Sequence, residues 1–173
     1  MKKLDVGQEL PEFQVKEGFH TRFQQVDDVT IQEKVESGHI RIFHKNKDGV
    51  WEAESPEGKL TLDIVGKNLF NVQLRYSNGS LETILYSPAR KMRKFFVPNA
   101  KGSLRMVESM EEDSKGWRDH RFFDIEGNLI EQKISENWAL KKFVSKGEVL
   151  FDETKGNSDK LREFMRSKAA KNR

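Results

Sequence analysis

The chain has 173 residues, enough for one domain with a real core, and its 35% hydrophobic and 34% charged residues make it polar for a globular protein. Twelve Phe and three Trp argue against a disordered chain, and the absence of Cys excludes disulfides, thiol chemistry and cysteine-based metal sites. The net charge of +3 is too small to imply nucleic acid by itself.

Met1 to Gly7 carries two lysines with no apolar run behind them, and no later stretch is apolar enough to cross a membrane as a helix, so a cytoplasmic protein is the simplest expectation. A glycine followed two residues later by an apolar residue recurs at Gly38, Gly58, Gly79, Gly102, Gly127 and Gly147, each between runs that alternate apolar and polar. A spacing of about 20 to 25 residues is what strand, tight turn and strand require.

From Ile31 to Tyr86 the alternation predicts a register. A turn at Ser37-Gly38 pairs Ile40 with Val35 and Ile42 with Glu33, and a loop at Asn46 to Gly49 pairs Trp51 with His44 and Ala53 with Ile42. The turn at Ser55 to Gly58 pairs Leu60 with Ala53 and Leu62 with Trp51; a loop at Gly66-Lys67-Asn68 pairs Phe70 with Ile64, Val72 with Leu62 and Leu74 with Leu60. Asn78-Gly79, read as a two-residue type I′ turn, pairs Tyr76 with Leu81, Leu74 with Thr83 and Val72 with Leu85, with Arg75 opposite Glu82 on the other face.

Beyond Tyr86, Arg93 to Val97 and Leu104 to Val107 read as a hairpin, and the acidic stretch Met106 to Ser114 as a helical turn or long loop. Trp117 to Asp124 with Asn128 to Ser135, and Phe143-Val144 with Val149-Leu150, are further hairpins. Leu161, Phe164, Met165 and Lys168 have helical spacing, with Asn157 or Ser158 as the cap. The expected architecture is mainly β: an antiparallel up-and-down meander of about ten to twelve strands over residues 1–156, closing into a barrel, and a short basic helix over residues 157–173.

Glu33, His44, Tyr76 and Thr83, with Trp51 among them, are polar or aromatic interruptions of the predicted inward face. They point to a cavity for a small apolar or aromatic ligand, with Trp51 and Tyr76 as walls and Glu33 and His44 as anchors. A second expectation is an adaptor for nucleic acid or an acidic protein. It would use Arg90, Lys91, Arg93 and Lys94 beside Phe95-Phe96, together with Arg162 and Arg166 on the helix. From Lys155 onward there are seven Lys or Arg against two acids, +5, which leaves −2 elsewhere. His120 with Asp119 or Asp124 is the one acid–base set. The four His have no metal-ligand spacing, no nucleophile elbow or phosphate loop is present, and no cofactor is called for.

The meander from about Val29 to Ser135 resembles the calycin architecture of lipocalins and fatty-acid-binding proteins, which implies a barrel around a ligand. The Gly-x-Trp signature of lipocalins has no counterpart, Gly18-Phe19-His20 being the nearest, so the resemblance carries no functional residues across. Tyr76 to Leu81 and Phe123 to Leu129 resemble hairpin repeats of the MORN type.

Overall fold

A computed structural model describes the backbone of residues 9–16, 19–35, 38–66, 69–156 and 159–172, with side chains from Phe23 onward apart from Val35. The strands are β1 (Glu9–Lys16), β2 (Phe19–Asp27), β3 (Thr30–Val35), β4 (Ile40–Lys45), β5 (Trp51–Ser55), β6 (Gly58–Gly66) and β7 (Leu69–Tyr76). They continue as β8 (Leu81–Ser87), β9 (Arg90–Pro98), β10 (Leu104–Asp113), β11 (Trp117–Phe123), β12 (Leu129–Glu136), β13 (Ala139–Ser145) and β14 (Glu148–Asp152). A 3-10 turn and α1 (Asp159–Lys171) follow. All fourteen strands lie in one antiparallel sheet whose spatial order is the sequence order. The expected meander and C-terminal helix are therefore present, with more strands than foreseen. The acidic Met106–Ser114 stretch is a strand through Asp113 rather than a helical turn or loop. The turn residue Ser37, the loop residues Lys67 and Asn68, Gly18 and the helix cap Asn157 or Ser158 lie outside the described residues.

The turns obey one local rule. At Asn46, Tyr76, Asn99 and Asp124, the backbone N–H of that residue bonds the carbonyl four positions on, and the N–H three positions on bonds back to it; Gly49, Gly79, Gly102 and Gly127 fill that third position. Gly49 and Gly79 sit at φ +81° and +87°, a left-handed conformation that favours glycine. Asn46, Asn99 and Asp113 each accept two backbone N–H groups on a side-chain oxygen at 2.9–3.0 Å, two and four residues on. These are three-residue loops with a glycine bulge, not two-residue turns.

Between β3 and β4, between β4 and β5 and across Gly79, three registers differ by one residue from the expected ones. In β5, β6 and β7 the expected pairs hold: Trp51 faces Leu62, Ala53 faces Leu60, and Leu60, Leu62 and Ile64 face Leu74, Val72 and Phe70. Across Gly79, however, Leu74 pairs with Glu82, Val72 with Ile84 and Phe70 with Tyr86, while Arg75 faces Leu81. Across Gly49, Trp51 pairs with Lys45 and His44 with Glu52. Glu33 pairs with Arg41 and Gln32 with Ile42. The inward residues of β4 and β8 are thus Arg41, Phe43 and Lys45, and Glu82, Ile84 and Tyr86. His44 and Thr83 are turned to the outer face, because a one-residue slip exchanges the faces of a strand.

The inward face is covered because the sheet rolls up. Five strand spacings separate β2 from β7, about 24 Å if flat, yet the rings of Phe23 and Phe70 stack at 5.0 Å and Phe23 meets Tyr86 edge-on at 5.7 Å. Phe23, Ile31, Phe43, Trp51, Leu60, Leu62, Ile64, Phe70 and Val72 form one buried cluster. Each such side chain contributes about 1.5–3 kcal/mol on burial. β1 comes close to β9 and β10, but among the described residues no ladder joins β1 to either or to β14. Among the described residues the sheet is rolled but not closed into the expected barrel. Beyond β9 the sheet runs on as a half-exposed flap, and α1 seats Phe164 edge-on against Phe143 of β13 at 5.3 Å. Among the described residues no helix is long and apolar enough to cross a membrane.

Candidate functional site

Within the roll, Glu33 is fully buried. Its Oε1 accepts a hydrogen bond from Arg41 Nη2 at 2.9 Å, and its Oε2 has no hydrogen-bond partner. Burial pushes this carboxyl up, opposed by the nearby Arg41 and Lys91 charges. Trp51 is buried in the apolar cluster, with Lys45 Nζ 5.6 Å from its ring centre. The inward surface around Trp51 is therefore made of packed Phe, Leu and Ile side chains.

Tyr76 begins a polar ladder that crosses the inward face. Its hydroxyl donates to Glu82 Oε2 at 2.8 Å, and Arg93 Nε donates to Glu82 Oε1 at 2.8 Å. Arg93 also lies 3.6 Å from Glu108, which meets His120 Nε2 at 2.8 Å. Burial and the bond to Glu82 push the Tyr76 phenol up to about 12. Burial also raises the Glu82 carboxyl, but the hydrogen bonds from Arg93 and Tyr76 outweigh it and hold that group below its ordinary range. His120 thus meets Glu108, not the aspartates weighed for it. Asp119 is on the opposite face, bonded to Arg121 and Gln132, and Asp124 accepts the Asn128 N–H of its own turn.

Of the five residues expected to share a cavity, the structure keeps Glu33, Trp51 and Tyr76 on the inward face and sends His44 and Thr83 to the outer one. The β9 cations are also divided. Lys91 and Arg93 point inward, opposite Tyr86 and Ile84, while Arg90 and Lys94 point outward. Arg90 pairs with Glu111 at 2.8 Å and Arg93 with Glu82, so β9 presents no continuous basic patch. Arg162 and Arg166 are exposed on α1.

The outer face carries a feature that the apolar pattern does not announce. β3 and β4 pair along five positions and β5 and β6 along the whole of β5, but β4 and β5 pair only at His44–Glu52 and Lys45–Trp51. Beyond those pairs the strands part. The result is a cleft of about 850 Å³ lined by Ile42, His44, Glu52, Glu54, Glu57 and Lys59, among others. Lys59 Nζ lies 2.7 Å from Glu52 Oε1 and holds that carboxyl below its ordinary range. Glu54 and Glu57 form no ion pair among the described residues. Ile42 remains 48% exposed. The Asx-x-x-Gly turn at Asn46 to Gly49 sets His44 and Ile42 outward, while the end of the ladder that opens the cleft left no sequence signal.

Fold and cleft define a single-sheet β-meander rolled on itself, with a lateral opening between two strands. Comparison with protein families, with curated proteins and with solved structures found no match.

Proposed function

We propose that this chain is a non-enzymatic binding module, and that it takes its ligand in the cleft between β4 and β5 rather than inside the roll. The carrying observation is the parting of β4 from β5 after two pairs, with about 850 Å³ of concave space beside exposed Ile42. That volume lies within the range of about 300–1,000 Å³ typical of ligand sites. The interior is the poorer place for a ligand, because the inward face around Trp51 is occupied by its own side chains. Ile42 and Pro56 offer apolar contact; His44, Glu54 and Glu57 offer polar anchors.

Nile red, a neutral apolar dye, tests the reading. Its emission should rise and shift to the blue on adding the protein, and Ile42→Asp should abolish the change while leaving the circular dichroism spectrum intact. A dye signal unaltered by Ile42→Asp, or no signal with the wild-type chain, would reject the cleft as the binding place. The adaptor reading retains α1, whose exposed Arg162 and Arg166 lie on one short basic helix. Loss of nucleic-acid binding on deleting residues 157–173 is its test.

A further inference from the structure

We infer that the occupant of the cleft is an extended basic polypeptide segment, which adds a strand between β4 and β5. This rests on the cleft being the binding site and names the ligand class. The argument begins with the direction of backbone groups. In an antiparallel pair, hydrogen-bonded positions alternate along each strand. Asn46 N–H bonds the Val50 carbonyl at 2.8 Å, so the next bonded pair is His44–Glu52, and the one after would be Ile42–Glu54. Lys45 N–H bonds Val29 toward β3 at 2.8 Å, which agrees with this alternation. The ladder stops at His44–Glu52. The N–H and C=O of Ile42 and of Glu54 therefore face each other across the cleft without closing a pair.

Two half-used strand edges facing one gap are a template for a third strand, since an extended chain supplies donors and acceptors on both of its sides. A small molecule matches at most a few of these groups. Beyond its pairs with β4, β5 keeps Ala53 to Ser55, so the inserted segment engages β5 along that stretch.

Side-chain chemistry follows from the faces. On the outer side the inserted strand would lie between Ile42 on β4 and Glu54 on β5, past the His44–Glu52 pair, with Glu57 beyond. Glu52 is already held by Lys59, while Glu54 and Glu57 form no ion pair among the described residues, so the outward positions favour Lys or Arg. On the inward side Phe43 and Ala53 are already packed, so the alternate positions favour small apolar side chains. The fitting segment alternates basic and apolar residues.

The probe is a fluorescein-labelled heptapeptide, Lys-Val-Lys-Val-Lys-Val-Lys, titrated with the full chain and read by anisotropy. Two comparison peptides carry N-methyl groups on alternate backbone nitrogens, or Glu in place of Lys. N-methylation that removes two bonds, each worth about 0.5–1.5 kcal/mol net, should weaken binding roughly tenfold or more. The Glu peptide should bind at least as poorly, and the exposed double substitution Glu54→Lys with Glu57→Lys should lose the Lys peptide by a similar factor. Equal binding of the N-methylated and parent peptides would overturn strand addition, leaving only charge attraction. If no peptide binds while Nile red still responds to Ile42→Asp, the peptide class is wrong and the cleft stands. If neither probe binds, both readings fall.

Discussion

The buried Glu33–Arg41 pair offers the sharpest test of the rolled interior. Glu33 has no exposed surface, and its hydrogen bond to a side chain is the one from Arg41 at 2.9 Å. Replacing Arg41 by Met keeps most of the side-chain bulk but leaves a carboxylate in an apolar cluster with both oxygens unpartnered. Breaking a buried ion pair on one side costs about 3–5 kcal/mol, a large share of the roughly 5–15 kcal/mol that stabilises a domain. The size of that loss should depend on pH. Burial raises the Glu33 carboxyl above its ordinary value of 4.5 in the folded state, so the folded chain binds this proton more tightly than the unfolded chain. The penalty for an ionised Glu33 is complete above the folded value and is relieved as pH falls through it. Arg41→Met should therefore cost most at pH about 7.5 and less at about 5.5. Adding Glu33→Gln to Arg41→Met, which removes the charge and keeps the shape, should recover most of the loss at the higher pH. Urea unfolding followed by far-ultraviolet circular dichroism at both pH values measures all three variants. A loss that is the same at both, or that Glu33→Gln fails to rescue, would refute the claim that an uncompensated charge is what Arg41 prevents.

Gly58 pairs with Tyr76, and a Cβ there would fall inside the envelope of the Arg75 carbonyl oxygen, with the carbonyl carbon 2.9 Å away. Gly58→Ala should cost about 1–3 kcal/mol, read as a lower urea midpoint at unchanged slope. An unshifted midpoint would show that β6 and β7 can separate freely at that end. Tyr76 should not ionise with an ordinary phenol, its hydroxyl being pushed up to about 12 by burial and the bond to Glu82. In a spectrophotometric titration of a Tyr86→Phe background, where Tyr76 is the one tyrosine left, Glu82→Gln should bring the tyrosine step down. Phe164→Ala removes the edge-on contact with Phe143, and such a ring pair contributes about 0.5–1.5 kcal/mol. Hydrogen exchange should then quicken in α1 while β5 to β7 keep their protection.

The legible part of the fold was the part with clean alternation. Leu60, Leu62, Ile64, Phe70 and Val72 repeat every second residue without exception, so their pairing followed from period alone. The slips came at Tyr76 to Gly79, where a bulged glycine adds a residue that a two-residue turn lacks, at Asn46 to Gly49, where the loop is one residue shorter than the expected four, and between β3 and β4, where Glu33 meets Arg41 and not Ile42. Ile40 and Ile42 compounded the error, because both are apolar yet stand 47% and 48% exposed on the outer face. Met106 to Asp113 looked unlike a strand because its carboxylates break the apolar pattern. In the sheet those carboxylates meet partners from neighbouring strands, cations in Arg90–Glu111 and Arg118–Glu112 and an imidazole in His120–Glu108. Glu33, Trp51 and Tyr76 were legible as inward residues. The cleft was not, since it is defined by where a ladder ends, and the pattern of side chains carries no record of that.

The identity of strand order and sequence order has a mechanical meaning. Tension between the two edges of such a sheet acts across the strands, along the hydrogen bonds, and each ladder is loaded in series with the next. Bonds then open one at a time, as in a zipper, with no row of them resisting together as they would if strands were dragged lengthwise past each other. The flap from β10 to β14 would pay out hairpin by hairpin at low force. The turns between β2 and β8 would yield only after the stacked rings of Phe23 and Phe70 had been drawn apart, so the aromatic core acts as a latch on an otherwise extensible ribbon.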